Sequence, residues 1–323
     1  MNLQVPATRR AALALLLGLA SLIGACGGGD PVVAFQPRRV LAFGDENSLI
    51  TAEGRKYTVN ALTTETNDVK TLNCAGNALW VQRLASNFGL TFPDCNPDGV
   101  PDPRSRIYAT AGALVADLSD QVDLHLATDT FAEKDLVTMF VGQNDVLEQY
   151  SQYPGVSKAQ LLSGAYAAGL ALAGQVSRIA DAGGKVLVST VPDLSVSPFA
   201  LKENETSGDS TRSALLRDLV AKFNEGLRVG ISKLSGSQVA IMLTDELVQG
   251  MSRFPTSYGN MTNVTDPVCD ATLAATVELC TTDTLVSGGD AARYLWADDT
   301  HLGPTGHQYI GSLATTRARA NPF

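Results

Sequence analysis

Short apolar runs alternate with longer amphipathic stretches along most of the chain. Four runs are apolar throughout or interrupted only by Thr138, as strands buried on both faces of a parallel sheet are, at positions 40–43, 136–141, 186–188 and 239–243. The first two end at Gly44 and Gly142, and a weaker run covers positions 107–109. Together these runs predict the strands of one sheet.

Two stretches between the runs repeat their apolar residues at spacings of three and four, the period of an amphipathic helix. They cover positions 162–179 and 216–234, and helices are also predicted over 77–88 and 113–126. Strands that alternate with helices form βαβ units, which place helices on both faces of a parallel sheet. We therefore predict an α/β fold, a three-layer sandwich with a flavodoxin-like parallel sheet, in one domain over residues 39–323.

The first 26 residues have the pattern of an export signal. Arg9 and Arg10 precede an apolar run at 11–23, which is short for a membrane span and leads into small residues before Cys26. This arrangement resembles a bacterial lipobox, which implies a signal peptide over 1–25 and a diacylglycerol on the Cys26 sulfur. An ordinary secretory signal with a chance cysteine is the alternative. With residues 26–38 as a glycine- and proline-containing tether, we expect a protein of the bacterial cell envelope that is lipid-anchored to the outer membrane, on its periplasmic or surface side.

The charge and histidine content narrow the classes of partner. Lys and Arg number 24 against 33 Asp and Glu, a net charge of −9 without a basic block. Binding of a nucleic acid duplex requires clustered cations, so nucleic acid is not expected as a partner. With only His125, His301 and His307 in the chain, a multi-histidine metal centre is excluded and no cofactor is expected.

Four cysteines remain once Cys26 is set aside. An even number in an oxidising compartment predicts two disulfides. We favour Cys74–Cys95 and Cys269–Cys280, because each pair closes a short loop, and buried free thiols are the alternative. Residues 94–102 also imitate the start of a calcium loop, but Ser105 stands where such a loop has a glutamate, and a turn pinned by a disulfide explains the pattern equally well.

Polar residues follow the predicted strands at the sheet edge where α/β proteins gather functional groups. The blocks, in chain order, are Gly44-Asp45-Glu46-Asn47-Ser48, Ala111-Gly112-Ala113, Gly142-Gln143-Asn144-Asp145 and Asp298-Asp299-Thr300-His301. In this order and at these places the blocks resemble those of the SGNH (GDSL) hydrolase family, and the resemblance covers roughly residues 39–318. It implies an esterase- or lipase-like hydrolase that acts on ester bonds.

The resemblance also implies roles for single residues. His301 would be the general base and Asp298 its orienting acid, with Asp299 as the alternative acid. Gly112 N–H and the Asn144 amide would donate to an oxyanion. His125 and His307 are expected to serve packing.

Glu46 stands where this family has its serine nucleophile. Ser48, two positions later, is a fallback nucleophile, although a two-residue step on a helix rotates its hydroxyl away from His301. An ionised Glu46 would form an ion pair with His301 and raise the pKa of the imidazole. Glu46 would then hold a water for attack, or attack the substrate directly, or mark a catalytically silent binding protein with the same fold.

Overall fold

The computed structural model describes residues 34–64, 68–320 and 323. The predicted signal peptide, Cys26 and most of the tether lie outside these residues. The chain divides into residues 1–34 and residues 35–323, and every helix and strand of the described residues belongs to the second unit. Among the helices of the described residues, none is both long enough and apolar enough to cross a bilayer.

Strands and helices alternate through the first two thirds of this unit. The strands are β1 (Arg39–Gly44), β2 (Ala61–Thr64), β3 (Lys70–Asn73), β4 (Arg106–Ile107), β5 (Asp135–Phe140), β6 (Lys185–Ser189), β7 (Val239–Met242), β8 (Asn263–Pro267) and β9 (Tyr294–Trp296). The helices are α1 (Trp80–Ser86), α2 (Leu118–Leu126), α3 (Gln143–Ser151), α4 (Lys158–Asp181), α5 (Pro198–Ser207), α6 (Arg212–Ile231), α7 (Thr244–Arg253) and α8 (Pro304–Ala320). A short 3₁₀ turn at Glu46–Ser48 follows β1, and another at Val115–Asp117 precedes α2.

The central sheet contains β4, β1, β5, β6 and β7 in that order, and every neighbouring pair is parallel. This is the flavodoxin-like order, so the predicted fold class is confirmed. The chain leaves β1 toward β4 on one side and returns to β5 on the other. A crevice opens where the order reverses, beyond the carboxyl ends of β1 and β5.

Each face of the sheet carries its own hydrophobic core, which makes the three layers. Leu41 and Phe43 face the core under α2, α3, α4 and α6, whereas Val40 and Ala42 face the core under α1, α7 and α8. Successive side chains of a strand point to opposite faces, so a strand between two helical layers must be apolar at every position. This requirement explains the continuous apolar runs.

The predicted helices occur, with corrected ends. The patterns at 162–179 and 216–234 lie in α4 and α6, but α6 ends at Ile231, before Leu234. The helix predicted from residue 77 begins only at Trp80, because Asn77 has a left-handed φ of 48°. The helix predicted from residue 113 begins only at Leu118, the start of α2. Leu114 has an extended backbone, and the 3₁₀ turn Val115–Asp117 lies between it and the helix.

Both favoured disulfides are present, Cys74–Cys95 and Cys269–Cys280. The first attaches the start of the 94–102 segment, at Cys95, to Cys74. Within this segment the Asn96 side chain exchanges two hydrogen bonds with the backbone of Val100. Ser105 is buried and accepts a hydrogen bond from Val40 N at the edge of β1. These contacts favour the disulfide-pinned turn over the calcium loop. The described residues contain no cluster of three or more His, Cys, Asp or Glu side chains that would hold a metal ion.

Candidate active site

Segments that follow the strands bring the polar blocks together at the crevice. Glu46 lies in the 3₁₀ turn directly after β1, Gly112 lies in the loop after β4, and Asn144 lies in the first turn of α3 after β5. Asp298 and His301 come from the loop between β9 and α8. The order of the central sheet places the blocks of Glu46, Gly112 and Asn144 at one edge, and the loop after β9, a strand of the separate β8–β9 pair, brings Asp298 and His301 to them.

The turn after β1 is held tightly. Gly44 has a φ of 133°, and a Cβ there would lie 1.9 Å from the carbonyl oxygen of Phe140, so only glycine fits. Gln121 accepts a hydrogen bond from Gly44 N and donates one to Gly44 O, both at 2.8 Å. Asp45 caps the 3₁₀ turn by accepting from the backbone and side-chain nitrogens of Asn47. These contacts fix the direction in which Glu46 leaves the backbone.

The Glu46 carboxylate lies between the two groups predicted to be oxyanion donors. Its Oε2 accepts a hydrogen bond from Gly112 N at 2.7 Å and one from Asn144 Nδ2 at 3.1 Å. The Glu46 side chain is 6% exposed. Gly112 has a φ of 72°, a backbone conformation that favours glycine and that presents its N–H to the carboxylate. The donors therefore hold the chain's own carboxylate.

His301 lies between two carboxylates. Its Nε2 is 3.3 Å from Glu46 Oε1, and its Nδ1 is 2.8 Å from Asp298 Oδ2. Asp298 is positioned in turn by the backbone N–H groups of Thr300 and His301, which both donate to Oδ1. A histidine that faces an acceptor at each ring nitrogen donates at both, which requires the charged imidazolium.

The pKa shifts follow from this arrangement. Burial opposes the charged form of His301, but the hydrogen bonds and charges of Asp298 and Glu46 outweigh burial and raise the pKa of His301 to about 10. Burial likewise opposes ionisation of Glu46, but the contacts with His301 and Gly112 N hold the pKa of that carboxyl below its ordinary value. The ion pair expected from the sequence is thus present, and it leaves His301 protonated at neutral pH.

Asp45 is the buried acid behind this pair. Its Oδ2 has no hydrogen-bond partner among the described residues. Burial and the neighbouring charge of Glu46 raise the pKa of Asp45 well above its ordinary value. The side chain therefore serves as a cap for the turn, with its protonated form favoured by the site.

The remaining residues singled out in the sequence lie outside this arrangement. Ser48 is buried, and in the part of the chain that the structure describes its Oγ has no hydrogen-bond partner, so it is Glu46 whose oxygen faces the imidazole. Asp299 is half exposed and lies 3.5 Å from the Lys202 ammonium. His307 and His125 are buried, and His125 Nδ1 lies 2.8 Å from the Tyr108 hydroxyl.

Two neighbours of the site received no role from the sequence: Asp145, which was named only as a member of a polar block, and Tyr57, which was not singled out. Asp145 accepts from Val115 N at 3.0 Å and so anchors the loop that carries Gly112, and burial raises its pKa to about 6. Its place in the first turn of α3, next to Asn144, was the available signal. The Tyr57 ring lies 5.9 Å from the His301 ring, and no pattern around Tyr57 pointed to the site.

Two cavities flank the Asp298–His301 loop. One of about 360 Å³ reaches Thr300 and is lined by apolar and aromatic side chains (Leu147, Tyr150, Tyr153 and Phe199) together with the polar side chains of Ser151, Glu203 and Arg212. The other, of about 490 Å³, adjoins Asp298 and Asp299 and is walled by residues of the 267–277 segment. The loop that carries His301 therefore separates two spaces in which parts of a substrate can lie.

Several solved structures are similar to this chain. They include a lipolytic protein of the G-D-S-L family from Veillonella parvula DSM 2008, with a TM-score of 0.43 and 11% identity over 85% of this chain and 95% of that chain. The lipase Lip_vut3 from a goat rumen metagenome has a TM-score of 0.46 and 12% identity over 87% and 97%. A catalytic mutant of Axe2, an acetylxylan esterase from Geobacillus stearothermophilus, has a TM-score of 0.44 and 14% identity over 90% and 97%.

No curated protein sequence matches the chain. The family model described as GDSL-like Lipase/Acylhydrolase matches residues 40–314, nearly the whole of the folded unit. The chain therefore belongs to the GDSL-like lipase and acylhydrolase family.

Proposed function

We propose that the protein is a hydrolase acting on ester bonds, with Glu46 at the position that serine holds in the family. The contact between Glu46 Oε1 and His301 Nε2, at 3.3 Å, is the observation that supports this proposal. Asp298 stands behind the imidazole, 2.8 Å from Nδ1. A carboxylate oxygen, an imidazole and a second carboxylate thus occupy the places of nucleophile, proton carrier and orienting acid.

Each residue has a defined role in this proposal. Asp298 orients the imidazole, His301 moves a proton at Nε2, and Glu46 either attacks the ester carbon to form an anhydride or holds the attacking water. Gly112 N–H and the Asn144 amide then stabilise the oxyanion. Because both donors hold Glu46 Oε2, the substrate carbonyl must displace that oxygen first. Turnover of ordinary esters is therefore expected to be slow.

A second candidate is a catalytically silent binding protein that keeps the family's fold and cleft. The specific observation in its favour is that Glu46 neutralises His301 and occupies both donors. A protonated imidazole cannot take a proton from water, and filled donors cannot stabilise a substrate oxyanion.

Hydrolysis of p-nitrophenyl esters with short and long acyl chains separates the two candidates. We expect slow turnover by the purified protein that is lost in both Glu46→Ala and His301→Ala and retained in Ser48→Ala. If the wild-type protein shows no turnover and the Glu46→Ser variant gains it, the site is instead a silenced one. If turnover is lost in Ser48→Ala and retained in Glu46→Ala, the nucleophile is Ser48. No labelling by a fluorophosphonate is expected, because this reagent requires an activated hydroxyl.

We also propose that the domain is tethered to a membrane of the cell envelope through lipidated Cys26. The lipobox-like residues before Cys26 and the glycine- and proline-containing segment after it support this proposal. Cells fed a radiolabelled fatty acid should label the protein, and Cys26→Ala should abolish both the label and membrane fractionation. Membrane fractionation that persists in Cys26→Ala would contradict the lipid anchor.

A further inference from the structure

The predicted oxyanion donors of this site bind the carboxylate of Glu46, which stands at the position of the family's nucleophile. Gly112 N and Asn144 Nδ2 both contact Glu46 Oε2, while Glu46 Oε1 is turned toward His301 Nε2. The two oxygens of one carboxylate therefore have different surroundings. Oε2 is the oxygen that accepts from both Gly112 N and Asn144 Nδ2, whereas Oε1 lies 3.2 Å from Asn144 Nδ2 alone and is the oxygen that faces the proton carrier.

This division of the carboxylate suits attack on a saturated carbon better than attack on a carbonyl carbon. Attack on a ring carbon of an epoxide develops charge on the ring oxygen and not on a carbonyl oxygen, and the His301 proton neutralises that charge, so the first step does not need the two donors that Glu46 occupies. The product of that attack is an ester of Glu46 in which Oε1 carries the alkyl group. Its carbonyl oxygen is Oε2, which already lies on Gly112 N and Asn144 Nδ2, at 2.7 and 3.1 Å. The donors are thus prepared for hydrolysis of an ester formed on Glu46 itself.

We propose that the site opens epoxides by covalent catalysis: Glu46 Oε1 attacks a ring carbon to form a glutamyl ester, and water hydrolyses that ester to release a vicinal diol. This activity goes beyond ester hydrolysis, although it uses the same carboxylate and imidazole.

The proton on His301 balances the first step. His301 faces a carboxylate at each ring nitrogen and is therefore an imidazolium before substrate arrives. As Oε1 forms its bond to carbon, the ring carbon–oxygen bond breaks, and its electron pair takes the proton from Nε2. The step leaves one hydroxyl on the substrate, an ester on Glu46 and a neutral imidazole.

The neutral imidazole then becomes the base of the second step. His301 takes a proton from water, the water oxygen adds to the carboxyl carbon of Glu46, and the resulting oxyanion lies on Gly112 N and Asn144. Collapse breaks the bond between that carbon and the diol oxygen, which takes the second proton of the water. The ion pair of Glu46 and His301 is restored, and one epoxide and one water have become one diol.

The same proton argument selects an epoxide over an alkyl halide or alkyl sulfate. Those leaving groups depart as stable anions and take no proton. His301 would then remain charged between its new ester neighbour and Asp298, and it could not activate water for the second step. Only a leaving oxygen that needs the Nε2 proton converts this imidazolium into a base.

The cavity of about 360 Å³ beside Thr300 indicates the substituent on the epoxide. Its wall carries the rings of Tyr150, Tyr153 and Phe199 and the Leu147 side chain, one helical turn after Asn144. The other lining residues are polar, namely Ser151, Glu203, Arg212 and Thr300, and among them Glu203 accepts from the Tyr150 hydroxyl and Arg212 lies over the Tyr153 ring. Aromatic and aliphatic walls bind an aryl group better than a polar one. An aryl-substituted epoxide such as styrene oxide is therefore the appropriate probe.

Turnover of styrene oxide in heavy-oxygen water tests the covalent route. We expect diol formation together with heavy oxygen in the carboxylate of the peptide that contains Glu46, and none in the peptide that contains Asp298. In a single turnover the diol should carry only light oxygen. Glu46→Gln should reduce diol formation to the rate in buffer, whereas the exposed Glu133→Gln should retain it.

Two results would overturn the inference. One is heavy oxygen in the diol of the first turnover with an unlabelled Glu46, since water would then have attacked the epoxide directly. The other is absence of both diol and label in the folded wild-type protein, with folding checked by circular dichroism. Parallel assays with p-nitrophenyl butyrate keep the two proposals separate, because labelling by the epoxide without ester turnover would contradict only the esterase proposal.

Discussion

Oε1 of Glu46 lies 3.3 Å from Nε2 of His301, although 255 positions separate the two residues in the chain. Asp298 contacts the opposite nitrogen of the same ring. An imidazolium held between the buried Glu46 carboxylate and the half-buried Asp298 carboxylate stabilises the fold only while it keeps its proton. The pH dependence of stability therefore reports directly on this contact.

The stabilisation contributed by His301 should fall as pH rises from about 6.5 to about 10, whereas Lys56, whose pKa burial lowers to about 7, contributes the opposite trend, so the comparison with Glu46→Gln isolates the His301 contribution. The pKa of His301 is raised from 6.5 to about 10, so the folded state binds this proton more tightly than the unfolded state. The resulting stabilisation is complete below pH 6.5 and is lost as pH approaches 10. Glu46→Gln should reduce this loss and shift it to lower pH, as measured by urea unfolding across the range. The exposed Glu133→Gln variant serves as the control. If the dependence of unfolding free energy on pH is the same in Glu46→Gln as in the wild type, the contact between Glu46 and His301 carries no charge.

Asp298 should be the orienting acid, and Asp299 should not. Asp298 Oδ2 lies 2.8 Å from His301 Nδ1, whereas Asp299 lies near Lys202 at the surface. Asp298→Asn should lower kcat for ester hydrolysis by as much as ~10⁴-fold, because an asparagine supports the wrong tautomer. Asp299→Asn is the matched control and should stay within about twofold. The reverse pattern would assign the orienting role to Asp299.

Asn144 should act on the transition state more than on binding. Its Nδ2 contacts both oxygens of the Glu46 carboxylate, at 3.2 and 3.1 Å. Asn144→Ala should lower kcat by about 100-fold with little change in KM, the effect of removing an oxyanion donor. Glu148→Gln, on the exposed side of the same helix, should leave both constants unchanged. An effect of Asn144→Ala confined to KM would contradict this role.

His307 should make the protein sensitive to acid. It is fully buried in α8, and within the described residues neither ring nitrogen has a hydrogen-bond partner. Burial and the charges of His301, Lys56 and Arg83 lower the pKa of His307 to about 3. The unfolded state therefore takes up a proton as pH falls below 6.5, and stability is lost between pH 6.5 and 3.

The variant His307→Leu tests this source of acid sensitivity. It should flatten the decline between pH 6.5 and 3 and raise the free energy of unfolding at pH 5 by about 1–3 kcal/mol, the usual cost of an unpaired buried polar group. The exposed neighbour Gln308→Ala serves as the control. A decline as steep in His307→Leu as in the wild type would place the acid sensitivity elsewhere, with Glu46 and Asp298, whose pKa values are lowered in the fold, as the next residues to test.

The strand positions were predictable because a buried parallel strand is apolar at every position. The runs at 40–43 and 136–141 correspond to β1 and β5 within one or two residues. Helix starts were less predictable, since they depend on single backbone conformations. Asn77 at φ 48° delays the start of α1, although its side chain fits a helical pattern.

The polar blocks, and so the members of the candidate site, were also visible in the sequence. Their order after successive strands indicated that Glu46, Gly112, Asn144 and His301 would converge. The charge conflict between Glu46 and an oxyanion was visible as well. The roles of Asp145 and Tyr57 were not found, because they depend on backbone and ring positions that belong to other segments.

The sequence by itself determined the sheet, its helical layers and the set of groups at the crevice, because apolar periodicity and block order are properties of the chain. Only the tertiary structure decided that the Glu46 carboxylate lies on the oxyanion donors. Glu46 reaches Gly112 across 66 positions and Asn144 across 98. Hydrogen bonds of about 3 Å require atomic placement of three loops by the packed sheet, and residue identity alone does not specify that placement.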